Sequence, residues 1–188
     1  EAGFGALIGA NRGCFAAFAA VYECAVPVIA AVHGKCLNLG VELAGASDFV
    51  IASNDAVFAL REVAVGLFPV GGATVFLPPK IGVGNAMRVI LTAEEFSAQS
   101  AREMGLVQEI VPVDQLVSRS MEIAQKIAQN APLGIAAALA SVRIAREQGP
   151  RAALGVLASE VTRLTKTEDF KEGVSAFQQK RLPHFVGR

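Results

Sequence analysis

A continuous apolar run that ends at a glycine and is followed by a helix signal limits this chain more than any other feature. Residues 26–32 are apolar and rich in β-branched side chains, which is typical of a strand buried on both faces. Gly34 ends the run, and Asn38 stands at the N-cap position of a helix predicted over 39–46. A strand covered on both faces needs helices on both sides, so we expect an α/β fold.

Strand and helix signals alternate along most of the chain and then give way to helices alone. Further strands are predicted over 48–52, 56–59 and 107–111, with a loop over 66–73. Helices are predicted over 15–23, 85–91, 97–104, 114–129, 132–147, 152–165 and 169–180. Gly105 closes one of these helices and Pro132 starts another. The alternation favours helices packed on a largely parallel sheet, followed by a helical tail.

Composition supports a folded chain and argues against two classes of partner. The 188 residues are 53% hydrophobic and 18% charged, which is enough apolar material for a sizeable core and excludes a disordered chain. Seventeen Lys and Arg balance seventeen Asp and Glu without a basic block, so we expect no nucleic-acid partner. The apolar stretch over 13–32 contains Glu23 and Pro27. We interpret it as a buried helix and a buried strand, and we expect no membrane span.

Cysteines and histidines are too few and too scattered for two further kinds of site. Cys14, Cys24 and Cys36 form no C-x-x-C pair, so no disulfide framework is predicted. The cytoplasm, or an organelle matrix, is therefore the expected location, and no signal peptide is recognised. The two histidines, His33 and His184, stand far apart, so no metal site is predicted.

Common catalytic and nucleotide-binding motifs are missing from the sequence. It has no G-x-S-x-G hydrolase elbow and no G-x-x-x-x-G-K-[ST] phosphate loop. Gly82 and Gly84 begin a dinucleotide-type pattern, but Met87 stands where its third glycine belongs.

The helix that opens at Asn38 or Leu39 is the strongest candidate site. A helix start exposes unpaired N–H groups, which can stabilise an oxyanion that develops on a carbonyl oxygen. Glu42 lies near the start of this helix, and Glu62 follows another predicted strand. Two carboxyl groups beside a polarised carbonyl suit proton transfer at the neighbouring carbons.

Simpler interpretations of the same residues stay open at this point. A glutamate near a helix start often serves only as a partner of the helix dipole, and a glutamate after a strand is usually solvated. His33 fits a core or turn histidine better than a base, and Cys36 fits packing better than a nucleophile. Glu94 and Glu95 are expected to be solvated.

Segments along the whole chain, in order and spacing, resemble the enoyl-CoA hydratase/isomerase (crotonase) family. The resembling segments are residues 27–34, 40–44, 47–48, 58–63, 66–69, 91–92, 97–98, 105–107, 167–173, 176–177 and 180–181. The resemblance implies an α/β, crotonase-like spiral of ββα turns with a helical C-terminal trimerisation region. It places the C-terminal part of the spiral core in residues 1–112 and the helical region in 113–188. The core's N-terminal portion is expected upstream of the chain given.

The resemblance also implies a substrate and an assembly. The substrate would be an acyl-CoA thioester, and no cofactor is expected because coenzyme A is part of the substrate. The thioester carbonyl would lie between two backbone N–H groups: that of Leu39 and one that family members place upstream of Glu1. The expected assembly is a homotrimer or a dimer of trimers.

The roles of single residues follow from the same resemblance. Glu42 would be the base that activates water, and Glu62 would give a proton to the α-carbon, as in an enoyl-CoA hydratase. Gly34, Asn38 and Gly40 would lie at the substrate. Further substrate contacts, to coenzyme A, are expected from Phe177 and Lys180, although Phe177 fits a packing role equally well.

The sequence departs from the hydratase pattern in two places. Asn38-Leu39-Gly40 replaces a glycine triplet, and a Cβ there can crowd the thioester or forbid a positive φ. Val70 stands where some enoyl-CoA and dienoyl-CoA isomerases carry an acid, which disfavours those reactions, and Leu39 disfavours the serine peptidases of this fold. Isomerisation with one glutamate, another acyl-CoA reaction of the family, and non-catalytic acyl-CoA binding stay as alternatives.

Overall fold

A computed structural model describes residues 2–188, and their side chains from Arg12 onward. The chain forms two compact units: the first ends at Met121 and the second runs from Glu122 to Arg188. The division after residue 112 into a spiral core and a helical region, which the family resemblance implies, stays a prediction. In chain order the elements are α1 (Ala2–Tyr22), β1 (Ile29–Val32), β2 (Lys35–Leu37), α2 (Leu39–Ala46), β3 (Phe49–Ser53), β4 (Val57–Ala59), a 3₁₀ turn (Glu62–Val65), α3 (Ala73–Ile81), α4 (Val83–Thr92), β5 (Phe96–Ser97), α5 (Ala98–Met104), β6 (Glu109–Val111), a second 3₁₀ turn (Val113–Gln115), α6 (Leu116–Ala128), α7 (Pro132–Gln148), α8 (Pro150–Leu164) and α9 (Glu168–Gln179).

The strands of the first unit form two small sheets. One has the order β1-β3-β6 and is parallel throughout, with Ile29 opposite Phe49 and Ile51 opposite Glu109. The other has the order β2-β4-β5, in which β2 and β4 are parallel and β5 is antiparallel to β4. The predicted α/β class and the largely parallel pairing are confirmed. The strands form two sheets instead of the single sheet that was expected.

The core of the first unit lies between these sheets and the helices that follow them. Its largest fully buried apolar side chains are Phe58, Ile51, Leu60, Leu77 and Leu106. The Phe58 and Phe96 rings stack with centroids 5.5 Å apart, which joins β4 to β5. The segments that follow β2 and β4 begin at the edge of this core.

Two burial predictions at the start of the chain are wrong. The strand over 26–32 is shorter, Ile29–Val32, and it is not buried on both faces, because Ala31 is exposed and its neighbours are half-buried. Among the described side chains of α1, residues 12–22, Phe18 is buried and Phe15 is 57% exposed, so this part is not a buried helix.

Several helix boundaries agree with the sequence signals. Ser97 caps α5, its hydroxyl accepting the Ser100 N–H, and Gly105 ends that helix with a φ of 96°. Pro132 is the first residue of α7. Asn38 does stand at the N-cap position of α2, but its side chain does not cap the helix. Asp114 lies in a 3₁₀ turn before α6.

The second unit contains α7, α8 and α9 and ends in a segment without regular secondary structure. Buried Asp169 accepts N–H bonds from Val186 (2.7 Å) and Gly187 (3.0 Å), and its own N–H donates to the Arg188 carbonyl. Glu172 accepts bonds from Arg181 and from the His184 N–H, and these bonds lower the pKa of Glu172 to about 2, the Arg181 bond most. Two carboxylates of α9 therefore fix the end of the chain.

No single helix within the described residues is long and apolar enough to cross a membrane. The segments Val113–Ala128 and Pro132–Gln148 meet length and composition limits only together, as a bent pair.

Candidate active site

The site is built where two neighbouring parallel strands end. Leu37 at the end of β2 pairs with Ala59 at the end of β4. Because parallel strands finish at the same edge, the residues that follow them come together there. Asn38 and α2 follow β2, and Arg61 and Glu62 follow β4. The fold thus brings together the helix start and the second carboxyl that the sequence singles out.

Asn38 has a backbone conformation that turns the chain sharply into α2. Its φ of 51° and ψ of −114° are those of the first central residue of a type II′ turn, a position that favours glycine. The Asn38 N–H donates to the Ala59 carbonyl (2.8 Å), and its side-chain Oδ1 accepts the Arg61 N–H (2.9 Å). The side chain predicted to contact substrate is thus engaged with the β4 end.

Leu39 is the first residue of α2, so its N–H has no acceptor within the helix. Leu39 is 41% exposed. An N–H in this position can donate to an external carbonyl oxygen, as the sequence predicts.

Glu42 is fully buried, and backbone N–H groups hold its carboxylate. Both oxygens accept the Gly71 N–H at 3.0 Å, and Oε1 accepts the Ala73 N–H at 3.1 Å. These donors lie at the N-terminus of α3, so the Glu42 carboxylate, which belongs to α2, accepts hydrogen bonds from the start of another helix.

Glu62 is buried in a different environment. Glu62 is only 7% exposed, so the interpretation of Glu62 as a solvated glutamate is wrong. Among the described side chains, its Oε2 is one of the buried polar atoms without a hydrogen-bond partner. Burial raises the pKa of Glu62 from its ordinary 4.5, the nearby Glu42 charge raises it further, and a bond from its own backbone N–H partly opposes the shift. Glu62 is therefore suited to keep its proton at a pH above the ordinary pKa of a glutamate.

Gly34 and Gly40 have local structural roles. Gly34 has a φ of 57° and precedes β2, so it lies at the opposite end of that strand from Asn38. A Cβ at Gly40 would lie 3.3 Å from the Cys36 sulfur, and burial raises the pKa of the Cys36 thiol to about 11, which fits the packing interpretation. The substrate contacts assigned to both glycines stay predictions.

The second unit carries Phe177 and Lys180. Phe177 is 86% exposed and lines an apolar cavity of about 500 Å³, together with Phe170, Val174 and Phe185. Lys180 is exposed, with a φ of 51°, at the C-terminus of α9. Both side chains are at the surface of their unit, and their contact with coenzyme A stays a prediction.

Comparison with known proteins decides the family. The family model for enoyl-CoA hydratase/isomerase matches residues 9–188. The chain belongs to this family. A 2,3-dehydroadipyl-CoA hydratase of Escherichia coli is 39% identical over 162 residues, covering 86% of this chain and 64% of the relative. A (7aS)-7a-methyl-1,5-dioxo-2,3,5,6,7,7a-hexahydro-1H-indene-carboxyl-CoA hydrolase of Mycobacterium tuberculosis is 48% identical over 126 residues, covering 67% of this chain and 50% of the relative.

A solved crotonase-family structure shows the same fold. The crystal structure of enoyl-CoA hydratase from Bacillus anthracis matches with a TM-score of 0.94 and 35% identity, over 97% of this chain and 70% of that chain. The predicted crotonase fold class is therefore confirmed. The chain spans about half to two thirds of the length of the two curated relatives, whose names describe different reactions.

Sequence reasoning missed Gly71 and Phe18, which surround the Glu42 carboxylate. A Cβ at Gly71 would collide with the Phe18 ring and with Glu42 Oε2. Phe18 is itself packed against Phe76, so it has little room to move aside. The Gly71-Gly72 pair is the sequence signal that could have indicated this contact, because paired glycines before a helix mark a close approach of the backbone to another group.

Gly71→Ala should therefore destabilise this crotonase-family chain. Overpacking of this kind lowers the free energy of unfolding by about 1–3 kcal/mol, and it also disturbs the bonds to Glu42. Urea unfolding measures the change. Gly84→Ala is the matched control, because a Cβ there meets nothing within 4 Å in α4 and helix propensity improves. Equal stability of the two variants would contradict the packing described.

Proposed function

We propose that this chain is the catalytic part of an enoyl-CoA hydratase, which adds water across a trans-2-enoyl thioester to give a 3-hydroxyacyl-CoA. The observation that carries the proposal is the pair of buried carboxyl groups beside the free helix start. Glu42 accepts backbone N–H bonds with both oxygens, while burial and the Glu42 charge raise the pKa of Glu62. Two carboxyl groups with opposite environments suit one base and one acid.

The proposed reaction proceeds through an enolate. Glu42 takes a proton from water as the water oxygen bonds to C3, and the C2–C3 π electrons move onto the thioester. The Leu39 N–H donates to the carbonyl oxygen that gains this charge. Glu62 then gives its proton to C2, and proton exchange with solvent restores both groups. No cofactor takes part, since coenzyme A belongs to the substrate.

Exposed apolar side chains on α2 and in the segment that follows Glu62 support an acyl substrate. Leu39 and Leu43 of α2 are each 41% exposed, and Leu67 and Phe68, beyond Glu62, are 52% and 64% exposed. Exposed apolar side chains grouped beside polar catalytic groups are typical of a ligand-binding surface.

The function is tested by incubating the purified protein separately with trans-2-enoyl-CoA and 3-enoyl-CoA and separating the products by chromatography. Formation of 3-hydroxyacyl-CoA from the 2-enoyl substrate is the expected result. Conversion of 3-enoyl-CoA to 2-enoyl-CoA without hydration would identify an isomerase instead. Tight acyl-CoA binding without turnover of either substrate would identify a non-catalytic member.

The proposed assembly is a homotrimer or a dimer of trimers. In support, α8 exposes Leu154 by 65%, Leu157 by 43% and Val161 by 59%, which forms an apolar stripe that water disfavours. Sedimentation equilibrium should give three or six times the chain mass, and a stable monomer at micromolar concentration would refute the assembly. The location in the cytoplasm or an organelle matrix stays a proposal, supported by the lack of a C-x-x-C pair in the sequence.

A further inference from the structure

Asn38 connects three parts of the site through three different polar groups. Its N–H donates to the Ala59 carbonyl at 2.8 Å, and its backbone carbonyl accepts the Glu42 N–H at 3.1 Å. Its side-chain Oδ1 accepts the Arg61 N–H at 2.9 Å. One residue thus joins the end of β4, the start of α2 and the segment that leads to Glu62.

The side chain takes the place that the backbone carbonyl would have in a continuing strand. With Leu37 opposite Ala59, a further parallel step would have the Asn38 carbonyl accept the Arg61 N–H. The turn at Asn38 instead directs this carbonyl into the first hydrogen bond of α2. Oδ1 supplies the missing acceptor, so the connection between the two strand ends extends one hydrogen bond further.

The choice of asparagine needs an explanation beyond backbone shape. At a φ of 51°, glycine is the residue with the least strain, and asparagine is only tolerated. Glycine has no side-chain acceptor for the Arg61 N–H. The hydrogen bond that the asparagine side chain accepts from the Arg61 N–H explains why asparagine stands at this position in spite of the backbone strain.

The position of the Glu62 carboxyl depends on the backbone that Asn38 holds. Glu62 directly follows Arg61, and its Oε2 has no partner among the described side chains. The bond that favours its charged form comes from its own backbone N–H. Movement of the Arg61–Glu62 backbone would therefore carry the carboxyl with it.

We propose that Asn38 is a positioning residue, whose side-chain amide sets the place of Glu62 relative to the Leu39 N–H. This inference rests on the proposed function for its effect on turnover, but not for the contact itself. The substrate need not touch the Asn38 side chain.

The test compares Asn38→Gly and Asn38→Asp with the wild-type protein. Asn38→Gly relieves the positive φ but loses the acceptor, whereas Asn38→Asp keeps an acceptor. We expect the Arg61 amide to exchange with solvent at least about tenfold faster in Asn38→Gly, with thermal stability unchanged or higher. Its kcat for trans-2-enoyl-CoA should fall about ten- to a hundredfold, with little change in KM. Asn38→Asp should lie between Asn38→Gly and wild type.

Ala93→Gly is the matched control for relief of strain. Ala93 has a φ of 55° at the end of α4, so the substitution relieves a similar backbone strain outside the site. Its kcat should equal that of wild type. A kcat for Asn38→Gly equal to or above wild type, or an unchanged Arg61 exchange rate, would show that only the backbone shape at Asn38 matters.

Failure of the proposed hydratase function can be distinguished from failure of the proposed role of Asn38. If the wild-type protein hydrates no enoyl thioester, the hydratase assignment fails, and two substrate-free measurements still decide the role of Asn38. They are the Arg61 amide exchange rate and the titration of the Glu62 carboxyl by NMR. Both should change in Asn38→Gly and not in Ala93→Gly. An unchanged Arg61 exchange rate or an unchanged Glu62 titration overturns the inference.

Discussion

Glu42→Gln is expected to lower kcat/KM for hydration of a trans-2-enoyl-CoA by at least about a hundredfold, the usual contribution of a positioned general base. Glutamine has nearly the same shape, and its carbonyl oxygen can still accept the N–H groups of Gly71 and Ala73. The fold should therefore survive, while the group that takes the proton from water is lost. Steady-state kinetics by product chromatography measures the effect.

Two further measurements separate lost chemistry from lost structure. Thermal unfolding and acyl-CoA binding should change little in Glu42→Gln. Because the Glu42 charge raises the pKa of Glu62, removing it should lower that pKa toward 4.5, which carboxyl NMR detects. Hydration at the wild-type rate would exclude Glu42 as the base.

The sequence reveals the candidate catalytic groups more readily than the contacts that hold them in place. Leu39, Glu42 and Glu62 could be selected because a helix start and the ends of strands are visible as local patterns. The hydrogen bonds from Gly71 and Ala73, and the Phe18 ring beside them, join segments that are distant in sequence. No local period or spacing encodes such contacts.

Two elements that the sequence did not predict, β2 and α3, share a physical cause. Strand β2 is three residues, Lys35–Leu37, which is too short to show an alternating pattern. Helix α3 contains Pro78 and Pro79, which argue against a helix by local propensity. Burial of Phe76, Leu77 and Ile81 in the core outweighs that preference. Packing between distant segments decided both cases.

Glu62→Gln should also lower kcat/KM for hydration at least about a hundredfold, because C2 of the enolate then has no acid to protonate it. The wild-type pH profile should locate this acid. Burial first, and the Glu42 charge second, raise the pKa of Glu62, so the protonated form and the activity it supports persist above pH 4.5. Exchange of the C2 hydrogen with deuterated solvent tests the role directly, since the variant should incorporate deuterium far more slowly.

The same substitution should have the opposite effect on stability. A carboxyl whose pKa is raised by folding binds its proton more tightly in the folded state than in the unfolded state. The folded protein therefore loses stability as pH rises from 4.5 through the raised pKa of Glu62. Glutamine has no charge to bury, so Glu62→Gln should be at least as stable as wild type above this range and should lack that loss. A variant that is less stable than wild type at neutral pH would contradict the raised pKa of Glu62. Turnover at the wild-type rate would exclude Glu62 as the acid.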